Sequence, residues 1–142
     1  NGFFEAPMLY GRGVDMQKVK IFIIDDEEEI CKLSKSILEK TGRFEVMFST
    51  KAIGAIDLIK SYKPDLILLD FVMPDMNGSI VAERLLEDSS TRDIPLVFLT
   101  ALVEKSEIEE TSGIKGGRFF IAKPVMSKEL ISRIDSILKI GK

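Results

Sequence analysis

The sequence predicts a doubly wound α/β fold, with a five-stranded parallel sheet in the order 2-1-3-4-5 and helices on both faces. Three observations predict it. Five strand-like segments alternate with segments of helical spacing. The run Leu66-Ile67-Leu68-Leu69 is apolar throughout, as in a strand buried on both faces of a parallel sheet. The chemically distinctive residues, Asp25-Asp26, Asp70, Thr100 and Lys123, all fall at carboxyl ends of strands, where open α/β sheets place their chemistry.

Val19 to Ile24 is β-branched and aromatic and reads as the first strand. Glu27, Glu28 and Glu29 then suit the positive end of a starting helix. Its apolar face is read from Ile30, Leu33, Ser34, Ile37 and Leu38, and it stops before Gly42. Phe44, Val46 and Phe48 alternate with Glu45, Met47 and Ser49, the pattern of a half-exposed edge strand. Ala52, Ala55, Ile56 and Ile59 mark a second helix closed by Lys63-Pro64, and the buried strand to Asp70 follows. After the loop from Pro74 to Gly78, Val81, Ala82, Leu85 and Leu86 give a third helix. Pro95 opens the strand Leu96 to Leu99, which ends at Thr100. Val103 to Ile114 is compatible with a short or irregular fourth helix interrupted by Thr111-Ser112-Gly113. Phe119 to Ala122 is the fifth strand, leading to Lys123-Pro124. Ser127 can cap a last helix with an apolar face of Leu130, Ile131, Ile134, Ile137 and Leu138. Right-handed crossovers and the edge character of the second strand give the order 2-1-3-4-5, so the site lies where the first and third strands part.

Residues 1–16 carry glycines, a proline and no sustained periodicity. They read as a leader or cloning remnant, or as a native arm whose Phe3, Phe4, Leu9 and Tyr10 pack on the domain; residues 17–142 make one domain. With 142 residues, 45% of them apolar, the chain is long enough for a real core. Lys and Arg number 20 against 23 acids, a net charge of −3, which argues against direct nucleic-acid binding. No apolar run reaches the length of a membrane span, and the one cysteine, Cys31, fits packing in a reducing cytoplasm. Histidine is absent, so a His-based triad, an imidazole zinc site and a phosphohistidine on this chain are excluded.

Asp25, Asp26 and Asp70 would crowd three negative charges at neighbouring strand ends. At ~4 Å and an effective dielectric near 20, each pair costs about 4 kcal/mol before relaxation. A divalent cation relieves that repulsion, and oxygen-only ligands select Mg²⁺ or Mn²⁺. An aspartate is ionised at neutral pH and can serve as a nucleophile without an activating base. A metal-assisted phosphoryl-acceptor site is therefore the leading reading.

In this order, Asp25-Asp26, Asp70 followed by Met73-Pro74 and Gly78, Thr100-Ala101 and Lys123-Pro124 resemble the receiver domain of two-component response regulators, a flavodoxin-like (βα)5 fold. The resemblance covers Val19 to Lys139. It implies that Asp70 accepts a phosphoryl group from a histidine kinase or histidine phosphotransfer protein, with Mg²⁺. It further implies that Asp26, Asp70 and the Val72 backbone carbonyl ligate the metal and that Asp25 acts mainly through water. By the same resemblance, Lys123 would pair with a phosphoryl oxygen, Thr100 would bond the new phosphoryl group, and Phe120 would be the switch aromatic, with Phe119 as a competitor. Side chains at Val72 and Leu102 border the hydrolytic water, and both being apolar implies slow self-dephosphorylation. The implied protein is a cytoplasmic signalling switch rather than an enzyme, acting on neither nucleic acid nor membrane, and compatible with a phosphorylation-dependent homodimer. A haloacid-dehalogenase-like phosphotransferase would need an acid where Val72 stands, and a pseudo-receiver binding module would not need all five site residues. The end at Lys142, just after the last helix, is compatible with a stand-alone receiver or with a fragment of a longer protein whose output part is elsewhere.

Overall fold

The computed structural model describes residues 17–101, 114–115 and 118–140. Six strands, β1 (Val19–Ile24), β2 (Phe44–Ser49), β3 (Leu66–Asp70), β4 (Leu96–Thr100), β5 (Ile114–Lys115) and β6 (Arg118–Ala122), form one sheet in the order β2-β1-β3-β4-β6-β5. The five longer strands are parallel and hold the predicted 2-1-3-4-5 order. The short β5 is an addition: it pairs antiparallel with β6, Ile114 opposite Phe119 and Lys115 opposite Arg118. Ile114, read from sequence as the end of a helix, is therefore in a strand; the rest of that predicted helix lies outside the described residues. Two glycines separate β5 from β6 in the sequence, a dipeptide that favours tight reversal over helix.

Four helices are described: α1 (Glu28–Glu39), α2 (Ala55–Tyr62), α3 (Gly78–Glu87) and α4 (Ser127–Leu138). Side chains alternate across the strands, so the sheet divides its apolar residues between two layers. Ile21, Ile23, Leu66, Leu68, Val97 and Leu99 point to the layer closed by Leu38 of α1 and by Leu130 and Ile134 of α4. Phe22, Ile24, Ile67, Leu69 and Phe98 point to the layer closed by Ile59 of α2 and by Val81 and Leu85 of α3. All five residues of β3 are buried, as their unbroken apolar run requires.

The helices sit slightly differently from the pattern read off the sequence. On α1 the buried residues are Cys31, Ser34 and Leu38, whereas Leu33 is 56% exposed. The apolar residues spread wider than the contact, and the small Cys31 and Ser34 let the helix approach the sheet on a face turned away from Leu33. Leu86 of α3 is likewise exposed while Leu85 is buried. α2 begins at Ala55 rather than Ala52, because Gly54 adopts a left-handed φ of +86° that ends the preceding turn. Ser127 is the first residue of α4 and not its cap: Met126 holds that place, its carbonyl accepting from Leu130 N at 2.9 Å. The phase that buries Leu130 and Ile134 sets this start.

The outer side of β2 is held by side chains. Lys35 Nζ donates to the Val46 carbonyl at 2.8 Å and to Glu39 Oε2 at 3.0 Å, and the same oxygen accepts from Val46 N at 3.0 Å. Tyr62 donates its hydroxyl to the Glu45 carbonyl at 3.2 Å. The hydrogen bond from Lys35, aided by Val46 N–H, holds the Glu39 carboxyl below its ordinary range. A carboxyl depressed on folding contributes stability above its unfolded value, and the contribution is lost as pH falls through the folded one. Glu39→Gln should therefore cost roughly 0.5 kcal/mol or less at about pH 7, the scale of an exposed pair. Urea denaturation of parent and variant should show the gap closing as the pH is lowered below the ordinary glutamate range of about 4.3.

Candidate functional site

β1 and β3 are neighbours whose crossovers depart to opposite faces, α1 to one and α3 to the other, leaving a crevice at their carboxyl ends. Asp25 follows β1 and is fully buried; Asp70 ends β3 and is 6% exposed. Asp26 beside them is exposed. One carboxylate oxygen from each of the three can be found within 4.8 Å of the others. Asp25 is engaged through both oxygens. Its Oδ1 accepts from Glu27 N at 2.9 Å, and its Oδ2 lies 2.8 Å from Lys123 Nζ, an ion pair rather than a well-directed hydrogen bond. Asp70 Oδ1 accepts from Val72 N at 3.3 Å, and Oδ2 is 3.5 Å from Lys123 Nζ. Asp70 therefore does not cap α3; that role belongs to Asn77, whose side chain accepts from Ser79 N at 2.8 Å.

Lys123 follows β6, its backbone N–H donating to the Thr100 carbonyl at 2.9 Å, and its peptide bond to Pro124 is cis. Its ammonium also reaches Glu27 Oε1 at 3.2 Å. Burial alone would lower the Lys123 pKa, but contact with Asp25 and the charges of Asp70 and Glu27 outweigh it and push it up to about 12. Burial, then the charge of Asp25, raises the Asp70 carboxyl to about 6, against the opposing pull of Lys123 and the Val72 N–H. Among the described residues, the site thus holds more negative charge than the Lys123 ammonium balances. An all-oxygen cluster of this kind fits a hard divalent cation such as Mg²⁺.

Thr100 ends β4 and is buried, on the strand beside Asp70. The two adjacent phenylalanines of β6 separate cleanly. Phe119 packs in the layer of α1 and α4. Phe120 joins the other layer, its ring 5.2 Å from Phe98 and 6.3 Å from Phe71, the residue after Asp70. Of the two, Phe120 is the one in ring contact with the loop that begins at Asp70. Val72 lies at the rim, 52% exposed, and Leu102 lies outside the described residues. Cys31 is buried; its Sγ donates to the Asp25 carbonyl at 3.3 Å, and burial pushes the thiol up to about 12, so it is not a nucleophile near neutral pH.

Three contributors have no role in the sequence reading. Glu27, read there only as charge at a helix start, is a partner of Lys123. Asp75 accepts from Ala52 N at 3.0 Å and Ile53 N at 3.1 Å, clipping the loop after β3 to the loop after β2. Asn77 carried a legible signal, a capping residue type directly before a helix. Asp75 carried none, because its partners are backbone groups more than twenty positions away.

A family model, the response regulator receiver domain, matches residues 21–135. The chain belongs to this family. The receiver is 37% identical over 120 residues to the phosphate regulon transcriptional regulatory protein PhoB of Pseudomonas aeruginosa, covering 84% of this chain and 51% of that protein. It is 35% identical over 125 residues to the probable transcriptional regulator ycf27 of Porphyridium aerugineum, covering 87% of this chain and 50% of that protein, so it spans about half the length of these two relatives. The polar-differentiation response regulator DivK of Brucella anthropi is 32% identical over 118 residues, 83% of this chain and 94% of that one. Among solved structures, the non-phosphorylated HemR receiver domain of Leptospira biflexa has a TM-score of 0.69 at 28% identity, covering 88% and 98% of the two chains. The chemotaxis protein CheY4 of Vibrio cholerae, with a TM-score of 0.72 at 21% identity over 85% of this chain and 99% of that one, shows the shared fold. This is a receiver of two-component signalling, and the haloacid-dehalogenase alternative is set aside. Among the described residues, no helix is long and apolar enough to cross a membrane.

The receiver's Gly78 has a steric reason. A Cβ built there would lie 2.5 Å from the Asp70 carbonyl oxygen and 2.9 Å from Phe71 Cα, so only glycine lets α3 start against the end of β3. Gly78 N also donates to the Phe71 carbonyl at 2.8 Å. The colliding atoms are backbone and cannot swing aside. Gly78→Ala should cost about 1–3 kcal/mol in urea denaturation, the range for overpacking a close contact.

Proposed function

We propose that this receiver is a switch set by Mg²⁺-dependent phosphoryl transfer onto Asp70 from a phosphohistidine of a partner kinase or phosphotransfer protein. The observation that carries the proposal is the convergence of Asp25, Asp26 and Asp70 beside Lys123 at the crevice of the sheet. In the transfer, an Asp70 carboxylate oxygen attacks phosphorus. The phosphorus–nitrogen bond breaks, its electron pair returns to the imidazole, and an acyl phosphate remains on Asp70. Bound Mg²⁺ would supply charge neutralisation and a template for phosphoryl oxygens. Asp26, Asp70 and the Val72 carbonyl are its proposed direct holders. Asp25, with both oxygens already engaged, suits a role through water. Lys123 would pair with a phosphoryl oxygen, and Thr100, with Phe120 behind it, would relay the change toward β6 and α4.

The donor can be replaced by acetyl phosphate, and the product read by intact-mass spectrometry. One phosphate should add only when Mg²⁺ is present, and none should add to Asp70→Asn. A parent protein that takes up no phosphate while remaining folded would instead make this a receiver fold serving as an unphosphorylated binding module. An adduct persisting on Asp70→Asn would move the phosphoacceptor elsewhere.

The lifetime of the acyl phosphate follows from the rim. Hydrolysis needs a water in line with the bond from the Asp70 oxygen to phosphorus, and half-exposed Val72 offers that water no hydrogen bond. Leu102, outside the described residues, is proposed to border the same approach and is equally apolar. Val72→Asn with Leu102→Glu should hasten phosphate loss about tenfold, or ~1.4 kcal/mol of barrier. Decay of the phosphorylated species followed by mass or by Phos-tag electrophoresis tests it; an unchanged rate in the double variant would remove these side chains from the account.

A further inference from the structure

Lys123 is already where a cation would be. Its ammonium stands 2.8 Å from Asp25 and 3.5 Å from Asp70, among the oxygens a divalent ion would take. Two cations in one small pocket repel, so the ammonium opposes metal binding unless it can withdraw without losing its own partner. Glu27 provides that partner. Its backbone is pinned at the start of α1: its N–H donates to Asp25 Oδ1 at 2.9 Å, and its carbonyl accepts from Ile30 N at 3.0 Å and Cys31 N at 3.1 Å. From this fixed base its side chain, 59% exposed at the rim, reaches Lys123 Nζ at 3.2 Å. The lysine is thus shared between two buried acids inside and one exposed acid outside.

Resting on the metal reading above, we infer that Glu27 is a positioning residue for Lys123, drawing its ammonium toward the rim so that a divalent cation can settle on the Asp26 and Asp70 oxygens, with Asp25 beside it through water. It touches neither metal nor phosphoryl group; it acts through the lysine. The adjacent Glu28 pairs with Lys32 on the outer surface instead, at 3.3 Å, and serves as a control of equal charge.

The test is calorimetric titration of Mg²⁺ into the metal-free protein, with melting temperatures of the metal-free forms taken alongside. Glu27→Gln should weaken Mg²⁺ binding about three- to fivefold, the scale of a part-exposed ion pair. Glu28→Gln should bind as the parent does. Glu27→Asp, which keeps the charge but is one methylene too short to reach Lys123, should behave like Glu27→Gln. In a Lys123→Met background, removal of the Glu27 carboxylate should have no further effect, the mark of action through the lysine. If Lys123→Met does not fold, the comparison of Glu27→Asp with Glu27→Gln decides alone. Parent-like affinity in Glu27→Asp, or equal weakening in both backgrounds, would mean a simple field effect and would overturn the inference. Parent-like affinity in Glu27→Gln would overturn it while leaving the metal site standing. A parent that binds no Mg²⁺ would overturn the metal reading and this inference together.

Discussion

Buried carboxylates are costly unless something balances them, and the described residues of this domain include two, Asp25 and Asp70, at adjacent strand ends in one crevice. Among the described residues, the largely buried ammonium of Lys123 stands directly between them. The fold concentrates the difficulty instead of spreading it: both acids stand at the ends of buried strand segments, Ile21 to Ile24 and Leu66 to Asp70. A site in that condition is suited to a hard cation, which would relieve the repulsion between the acids. The chemistry proposed for Asp70 is thus prepared by the resting electrostatics.

The loops around the crevice are built to keep it open at one width. Gly78 brings α3 into contact with the Asp70 carbonyl, Asp75 ties the loop after β3 to the backbone before α2, and Asn77 caps α3 between them. Together they leave the segment after Asp70 little freedom of its own. A change at Asp70 can then be passed on through packed rings, Phe71 to Phe98 and Phe120, rather than absorbed by a soft loop.

Strand identity and the acid–hydroxyl–lysine positions were legible because both rest on local pattern: an apolar run, and a polar residue where it stops. Leu66 to Asp70 could hardly be read otherwise. Which face of a helix is buried depends on what it meets, and there the sequence was ambiguous: Leu33 lies beside Cys31 in the same apolar spread, but the sheet accepts the smaller residue. β5 was hidden because two residues cannot carry a periodicity. Asp75 and Glu27 were hidden because a lone acid in an acid-rich chain shows nothing until its partner, a backbone N–H or a lysine from a distant strand end, is brought beside it.

The outer edge of β2 has a consequence for how this domain can live at high concentration. An open strand is a template for another chain, and a signalling module that gathers near its partners is exposed to that hazard. At the middle of this edge the template is occupied: Val46 gives its N–H to Glu39, and its carbonyl accepts from Lys35. A second molecule arriving edge-on would have to displace a helix-anchored lysine and glutamate before it could bond to the main chain at Val46. An interruption in mid-strand breaks the run of main-chain bonds that sheet polymerisation needs, and it favours contacts through side chains on this side.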